Sequence, residues 1–191
     1  NFYGGSEDER ALYRRHHVGV IYQQPLWIKS FNVEENLAFP LALMGKDENE
    51  ISGIVHEKLK KVGMDQWATH IPAELSSGEQ QKISLARVLM VDPTWIVADE
   101  PTGNLDTVSG SELLNTFIHL VAEGKTIIMV THDLEYLKYG TRLLHMIDGT
   151  IVEMSQQSLD IGKMAQVGTK DTEGFGGSTV RDPQFLKKVH L

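Results

Sequence analysis

An α/β fold, with a parallel sheet core and an added helical subdomain, is predicted by two patterns in the sequence. Two apolar, β-branched runs at 95–99 and 126–131 flank an amphipathic stretch at 107–123. Strands joined through one helix in this way are parallel, with a right-handed crossover. Between residues 26 and 92, apolar residues recur at helical spacing instead, which indicates helices packed beside the sheet.

The composition of the chain is that of a soluble domain and argues against several other classes of protein. The chain has 191 residues, of which 41% are hydrophobic and 23% charged, as in ordinary soluble domains. The net charge of −8 argues against nucleic acid as a partner, because nucleic-acid binders carry a basic face. The chain has no cysteine, which fits a cytosolic protein and excludes disulfides. No apolar run approaches the ~20 residues that span a bilayer.

The remaining elements follow from local signals. A short apolar strand is expected at 18–22. Asn32 is placed to cap a helix, with Glu35 completing a capping box, and Pro40 should end or kink that helix. A second amphipathic helix is expected at about 48–62.

The end of the chain divides into a hairpin and a tail. The stretch "RLLHMIDGTIVEM" predicts two strands around Asp148-Gly149, because Asp-Gly favours a tight two-residue turn. Residues 156–191 are rich in glycine and polar residues, and we expect a loose appendage there.

The tripeptide Gly124-Lys125-Thr126 looks like the end of a phosphate-binding loop, G-x-x-x-x-G-K-[ST]. His119 stands where the first glycine of that motif belongs, and a helix precedes the tripeptide where a strand should. We therefore interpret Gly124 as a helix stop, with a strand starting after it. The chain contains no other match to the motif.

The stretch "ELSSGEQQ" is a candidate anion site. Ser76 and Glu79 form a capping box, so Ser77 and Gly78 should lie in the first turn of a helix with free N–H groups. Such a terminus can hold a phosphate, although an ordinary capped helix explains the same four residues.

Polar residues also follow both parallel strands. Asp99 and Glu100 end the first strand, and His132 follows the second. Ligands of open α/β folds bind at this edge of the sheet, where an aspartate can hold Mg²⁺ and a glutamate can activate water. Acidic residues at strand ends are also often only solvated, and a lone histidine is more often structural.

Taken together, the quoted residues resemble the ATP-binding cassette (ABC) ATPases. The resemblance rests on "LSSGEQQKISLARVLMVDPTWIVADEPTGNLD" followed by "THD", and it covers about residues 10–155. The sequence of these motifs is most similar to that of the branch that serves lipoprotein release, macrolide-type export and cell division. The family implies a P-loop NTPase-like parallel sheet core with an α-helical subdomain.

The resemblance also implies a role for each matching residue. It implies cofactor-binding roles for Ser76, Ser77, Gly78, Glu79 and Asp106, catalytic roles for Glu100, His132 and Gln23, and metal-binding roles for Asp99 and Gln23. The implied cofactors are ATP and Mg²⁺.

Four regions follow from the resemblance. Residues 1–25 would hold the end of the core and the Q-loop, and 26–92 the helical subdomain with its signature loop. Residues 93–155 would form the catalytic core with the Walker B strand, D-loop and switch histidine, and 156–191 the tail. Such domains work as head-to-tail dimers beneath transmembrane permease subunits, peripheral on the inner face of the cell membrane.

Two departures from the family pattern bear on these expectations. Ser77 stands where the family more often has glycine, which should leave the phosphate contact intact. The phosphate loop, expected well upstream of Gln23, is absent, and we expect a fold incomplete at the N-terminus because the sequence is truncated.

Three functions remain open from the sequence. The first is the ATPase subunit of an ABC transporter, although this fragment alone would be inactive. The second is a catalytically silent partner module that offers its signature loop to a neighbour's ATP. A soluble ABC ATPase of DNA repair or translation is disfavoured by the lack of coiled-coil insertions, of a second cassette and of a basic surface.

Overall fold

The computed structural model describes residues 4–156, so the predicted tail at 156–191 lies outside the described residues except for its first position. The helices are α1 (Glu7–His17), α2 (Val33–Leu43), α3 (Glu48–Lys61), α4 (Ser77–Leu89) and α5 (Thr107–Ala122). The strands are β1 (Val18–Ile21), β2 (Trp95–Asp99), β3 (Thr126–Val130), β4 (Arg142–Ile147) and β5 (Thr150–Gln156). Short 3₁₀ helices lie at Asp65–Trp67, Pro72–Glu74 and Leu134–Tyr139.

The predicted parallel α/β core is confirmed. β1, β2 and β3 form a three-stranded parallel sheet in that order, and α5 is the crossover from β2 to β3. The register pairs Ile96 with Gly19 and Ile127. All three strands therefore end at one edge, where residues that follow them lie close together.

The two faces of this sheet differ sharply in burial. On one face the side chains of Ile21, Ile96 and Ala98 are fully buried. The opposite face is apolar but open to solvent, with Ile128 48% and Val130 54% exposed. Among the described residues, the core therefore lies on one side of the sheet only.

Gly19 allows α4 to approach β1 closely. A Cβ atom built on Gly19 would overlap Cγ1 of Val88 and lie 3.2 Å from Pro93. We expect Gly19→Ala to lower the free energy of unfolding by about 1–3 kcal/mol, because the clash is with a packed side chain. Denaturant unfolding measures the loss. In the control Gly53→Ala, the added Cβ meets open space within α3, and stability should rise by roughly 0.5–1 kcal/mol. Equal stability of the two variants would contradict this packing.

The capping predictions are confirmed at both helices. Asn32 and Glu35 cap α2, and Ser76 and Glu79 cap α4, each pair bonding reciprocally. Pro40 was predicted to end or kink its helix, and the first of these alternatives is wrong, because α2 continues to Leu43. A proline removes a single backbone donor, and burial of apolar side chains on both sides of it outweighs that loss.

Two local predictions are confirmed and one element was missed. Gly124 has φ +95° and separates α5 from β3, so the Gly-Lys-Thr tripeptide is a helix stop. Asp148 and Gly149 both have positive φ and join β4 to β5 in a two-residue turn. Helix α1, which is capped by Ser6 and has no buried residue, was not predicted.

Candidate functional site at the carboxyl edge of the sheet

Two carboxylates lie where β2 ends. Asp99 is the last residue of β2, and its side chain is exposed on the open face of the sheet. Glu100 follows with φ +45°, a left-handed conformation that is strained for any residue other than glycine. Its backbone N–H still donates to the Val130 carbonyl, 2.9 Å away, so the turn remains tied to β3. Such strain is characteristic of functional positions, where surrounding structure holds the backbone in place.

Glu100 accepts hydrogen bonds from the loop that follows β3. Its Oε1 lies 3.0 Å from the backbone N of His132 and 2.7 Å from the Nδ1 of the same residue. The hydroxyl of Thr131 donates to Oε2 at 3.4 Å. The Glu100 side chain is 21% exposed, whereas the His132 side chain is 80% exposed. The pair therefore offers a largely fixed carboxylate and an imidazole whose other nitrogen faces solvent.

The pKa of His132 is raised, first by the hydrogen bond to Glu100 and then by the negative charge of that carboxylate. We expect an NMR titration of the imidazole to give a pKa above the ordinary value near 6.5, and Glu100→Gln to bring it back. The pairing contributes stability below the unfolded pKa and loses it as pH rises through the raised folded pKa. An unchanged His132 titration in Glu100→Gln would show that the pair does not form in solution.

Gln23 lies near the same edge. It follows β1 by two residues, and its Nε2 is 2.7 Å from the position that a Cβ on Gly103 would occupy. Gly103 in turn donates its N–H to the carbonyl of Glu100 at 3.1 Å. The Gln23 amide therefore rests on the turn that carries Glu100.

The donors near this edge fit a magnesium ion. Mg²⁺ prefers oxygen ligands and is usually held through one or two carboxylates together with substrate phosphates and water. Asp99 supplies an exposed carboxylate and Gln23 an exposed amide. Within residues 4–156, no cluster of three or more acidic, histidine or cysteine side chains forms a dedicated metal cage. That donor set suits an ion shared with a nucleotide.

A second cluster lies at the start of α4. The Ser76 hydroxyl accepts from the backbone N of Glu79 at 3.3 Å, and Glu79 accepts from the Ser76 backbone N at 2.9 Å. The Ser76 hydroxyl also donates to the Glu79 carboxylate at 2.7 Å, and this bond, followed by the one from the Ser76 backbone N, lowers the pKa of Glu79. Ser77 is exposed in the first turn of α4, beside Gly78. The turn thus presents an exposed helix N-terminus, which attracts anions.

The same cluster includes the start of α5. Asp106 caps α5 through bonds from the backbone N–H groups of Val108 and Ser109, both at 3.0 Å, and from the Ser109 hydroxyl at 2.8 Å. The bond from the Ser109 amide is the main cause of a lowered pKa for Asp106. Ser109 also packs against Gly78, where an added Cβ would lie 2.8 Å from its Oγ. The first turns of α4 and α5 are therefore in direct contact.

The structure distributes the residues named from the sequence between these two clusters. Asp99, Glu100, His132 and Gln23 lie at the sheet edge, while Ser76, Ser77, Gly78, Glu79 and Asp106 lie at the helix starts. Two further residues of these clusters were not predicted: Thr131, which donates to Glu100, and Ser109, which bonds Asp106 and contacts Gly78. A serine three residues after a capping aspartate was a usable signal for Ser109.

Comparison with known proteins identifies the family. The family model described as "ABC transporter" matches residues 5–103, more than half of the chain. The chain belongs to the ABC transporter family. An uncharacterised ABC transporter ATP-binding protein of Methanocaldococcus jannaschii is 41% identical to it over 149 residues, which are 78% of this chain and 66% of that protein.

Other ABC transporter proteins show the same similarity. YtrE, an ABC transporter ATP-binding protein of Bacillus subtilis, is 40% identical over 78% of this chain and 64% of its own length. The macrolide export ATP-binding/permease protein MacB of Chlorobium phaeobacteroides is 39% identical over 94% of this chain and 28% of its own. The chain thus spans less than two thirds of the length of each of these relatives.

Solved ABC cassettes confirm the P-loop NTPase-like fold. The ATP-binding cassette MJ0796, a dimer bound to ADP and phosphate, superposes with a TM-score of 0.71 at 30% identity, covering 80% of this chain and 68% of that one. CbiO1 of Clostridium perfringens, part of the ABC transporter complex cbiONQ, gives a TM-score of 0.72 at 27% identity, covering 79% of this chain and 61% of that one. In the part of the ABC chain that the structure describes, every helix is too short or too polar to cross a membrane.

Proposed function

We propose that this chain is the ATP-hydrolysing subunit of a transporter, powering export or release of a substrate through separate membrane subunits. The observation that carries the proposal is the Glu100–His132 pair beside Asp99 at the carboxyl edge of a parallel sheet. Phosphoryl transfer to water uses a residue that orients the water and a metal ion that neutralises phosphate charge, roles that Glu100 and Asp99 can serve, while the imidazole of His132 can donate to the phosphate. Family membership and the similarity to ATP-binding proteins support it.

Each group at the edge has a distinct task in this proposal. Asp99 and Gln23 would hold Mg²⁺, which neutralises phosphate charge when bound. Glu100 orients the attacking water and accepts its proton. Its side chain is already held by bonds from Thr131 and His132, which keeps the free lone pairs in a fixed direction.

His132 acts on the phosphate in the proposed mechanism. Its Nδ1 faces Glu100, so Nε2 is the nitrogen directed away from the pair. The raised pKa favours the imidazolium form, in which both ring nitrogens are donors. Nε2–H can then donate to an oxygen of the γ-phosphate, where negative charge develops during transfer.

The turn at Ser76, Ser77 and Gly78 serves a second copy of the ATPase in this proposal. Its exposed N–H groups would contact the γ-phosphate of ATP held by the partner subunit, with Glu79 fixing the turn. Asp106 would connect the two sites through the neighbouring α5. The dimeric state of the MJ0796 cassette bound to ADP and phosphate supports pairing with a second copy, and the head-to-tail arrangement is part of this proposal.

A groove beside α4 is the proposed contact with the membrane subunits. Its volume is about 530 Å³, and it is lined by Arg15, Gly19, Pro40, Leu43, Met44, Arg87, Val88 and Val91. Leu43 is 65% exposed at its mouth, which is a large exposure for an apolar side chain. MacB is named an ATP-binding/permease protein, which supports a permease as the partner; the proposed contact lies at the inner face of the membrane.

Leu43→Glu tests this contact. We expect the variant of the full-length gene product to lose most of its co-purification with membrane proteins from detergent extracts, because a carboxylate at this position, beside Arg15, replaces the apolar surface of Leu43 with a solvated ion pair. Leu12→Glu is the matched control, since Leu12 is also exposed but lies on α1 outside the groove. Equal recovery of membrane proteins with both variants would contradict the proposed docking surface.

Nucleotide titration separates the main proposal from its alternative. The 191 residues contain no G-x-x-x-x-G-K-[ST] sequence, which favours a second candidate, a catalytically silent module that completes a partner's site. The full-length gene product is expected to bind MgATP and release phosphate. If the protein failed to bind nucleotide while its circular dichroism spectrum showed a folded chain, the main proposal would be contradicted and the silent module supported.

A further inference from the structure

We propose that Gln81 and Arg87 of α4 are positioning residues for Gln23. They hold both ends of the segment 22–27, here called the Gln23 loop, which connects β1 towards α2. This inference rests on the proposed function, because it assigns the means by which Gln23 is held at the sheet edge. It concerns residues that touch neither nucleotide nor metal in that proposal.

The first anchor is the amide of Gln81. Its Nε2 donates to the carbonyl oxygen of Tyr22 at 3.1 Å, immediately before Gln23. The Gln81 side chain is 1% exposed, and its Oε1 is buried without a hydrogen-bond partner in the described part of the chain. Burying an unpaired acceptor lowers the free energy of unfolding, so a hydrophobic residue would stabilise the fold better at this position. We therefore infer that the bond from Gln81 to Tyr22 serves the site.

The second anchor is the guanidinium of Arg87. Its Nη1 donates to the carbonyl oxygen of Leu26 at 2.5 Å, and its Cζ lies 4.5 Å from the centre of the Trp27 ring. Trp27 is also fixed from its other end, because its Nε1 donates to Oε1 of Gln80 at 2.9 Å. The far end of the loop is therefore bonded to α4 by two side chains.

Both anchors lie on the helix that begins at the Ser76 turn. Gln81 and Arg87 follow Ser76 by roughly one and a half and three turns of the same helix, so a rigid movement of α4 carries both anchors with it. Between the anchors, Gln23 reaches the Gly103 turn at the sheet edge. Because the Gln23 loop is bonded to α4 at both ends, a shift of α4 also shifts the Gln23 amide.

Hydrogen exchange tests the anchoring in the chain itself. We expect Gln81→Leu to increase deuterium uptake in peptides covering 22–27 by several-fold in rate, since Tyr22 loses its partner. Lys82→Gln is the control, because Lys82 bonds Glu112 on the surface and not the loop. Unchanged uptake in Gln81→Leu would overturn the inference.

A double-mutant cycle tests the function of the anchoring in the full-length gene product. Gln23→Ala and Gln81→Leu should each reduce turnover about 10-fold and raise the Mg²⁺ concentration needed for half-maximal rate. The turnover of the double variant should also fall by about 10-fold and no further, because both changes remove the same group from the site. A merely structural role for Gln81 would leave the Mg²⁺ requirement unchanged.

The outcomes separate the inference from the proposed function. Additive losses of about 100-fold in the double variant would overturn the positioning role and leave the proposed function standing. Normal turnover in Gln23→Ala would remove Gln23 from the proposed site, and the positioning role with it. Arg87→Lys, which keeps the charge but not the planar stacking on Trp27, should give an intermediate loss.

Discussion

Replacing Glu100 with glutamine is expected to reduce ATP turnover by the full-length gene product by on the order of 10²–10⁴-fold. Glutamine has nearly the same shape, and its amide oxygen can still accept the bond from the His132 backbone. What it loses is the ability to take a proton from the attacking water. Phosphate release under saturating MgATP measures the effect, while nucleotide binding should persist.

Glu123→Gln is the matched control for this result. It is the same chemical change at a surface carboxylate that pairs with Lys61 at 2.5 Å on the far end of α5. Exposed ion pairs contribute little, so turnover and stability should stay close to wild type. If Glu100→Gln retained turnover within about twofold of that control, Glu100 would not be the catalytic base.

Gly78→Val is expected to reduce turnover by on the order of 100-fold, because a displacement of about 1 Å at a phosphate contact suffices for such a loss. The new side chain would meet Ser109 at the position where an added Cβ is 2.8 Å from Oγ and 3.0 Å from Cβ. The first turn of α4 must then move away from α5. Phosphate release measured at several ATP concentrations separates the loss in rate from weaker binding.

The matched control for Gly78→Val is the same glycine-to-valine change at an open position of another helix. Gly53→Val introduces the same side chain in α3, where an added Cβ meets open space. It should leave turnover near wild type. If both variants lost activity equally, or if Gly78→Val simply unfolded in a thermal melt, the loss could not be assigned to the turn at Ser76, and this prediction would be wrong.

Most of the fold could be predicted because its signals are local. The caps at Asn32 and Ser76 depend on side chains three residues apart, and the Asp148-Gly149 turn depends on two positive φ angles. The helix α1 was missed because its apolar residues form one short run, Ala11 to Tyr13, and do not recur at helical spacing. It is stabilised by its Ser6 cap and by surface ion pairs, which hydrophobic periodicity does not detect.

The candidate site could be predicted only in part. The parallel topology places Glu100 and His132 at one edge, and this follows from the pattern of strands and helix. Their 2.7 Å contact depends on the left-handed backbone at Glu100, and a glutamate in the sequence does not predict that conformation. The contact between Gly78 and Ser109 depends on how two helices approach each other, and the anchoring of the Gln23 loop depends on side chains about 60 residues away.

The central claim is that the catalytic edge of one subunit and the Ser76 turn of its partner complete each ATP site. Mixing the full-length Glu100→Gln and Gly78→Val variants, each inactive alone, tests it most directly. In a head-to-tail dimer, one of the two sites in every mixed pair has an intact Glu100 and an intact Gly78. Random pairing should therefore restore about a quarter of wild-type phosphate release. If mixing restored nothing while the mixed dimer formed, both residues would serve the same subunit's nucleotide, and the shared site would be contradicted.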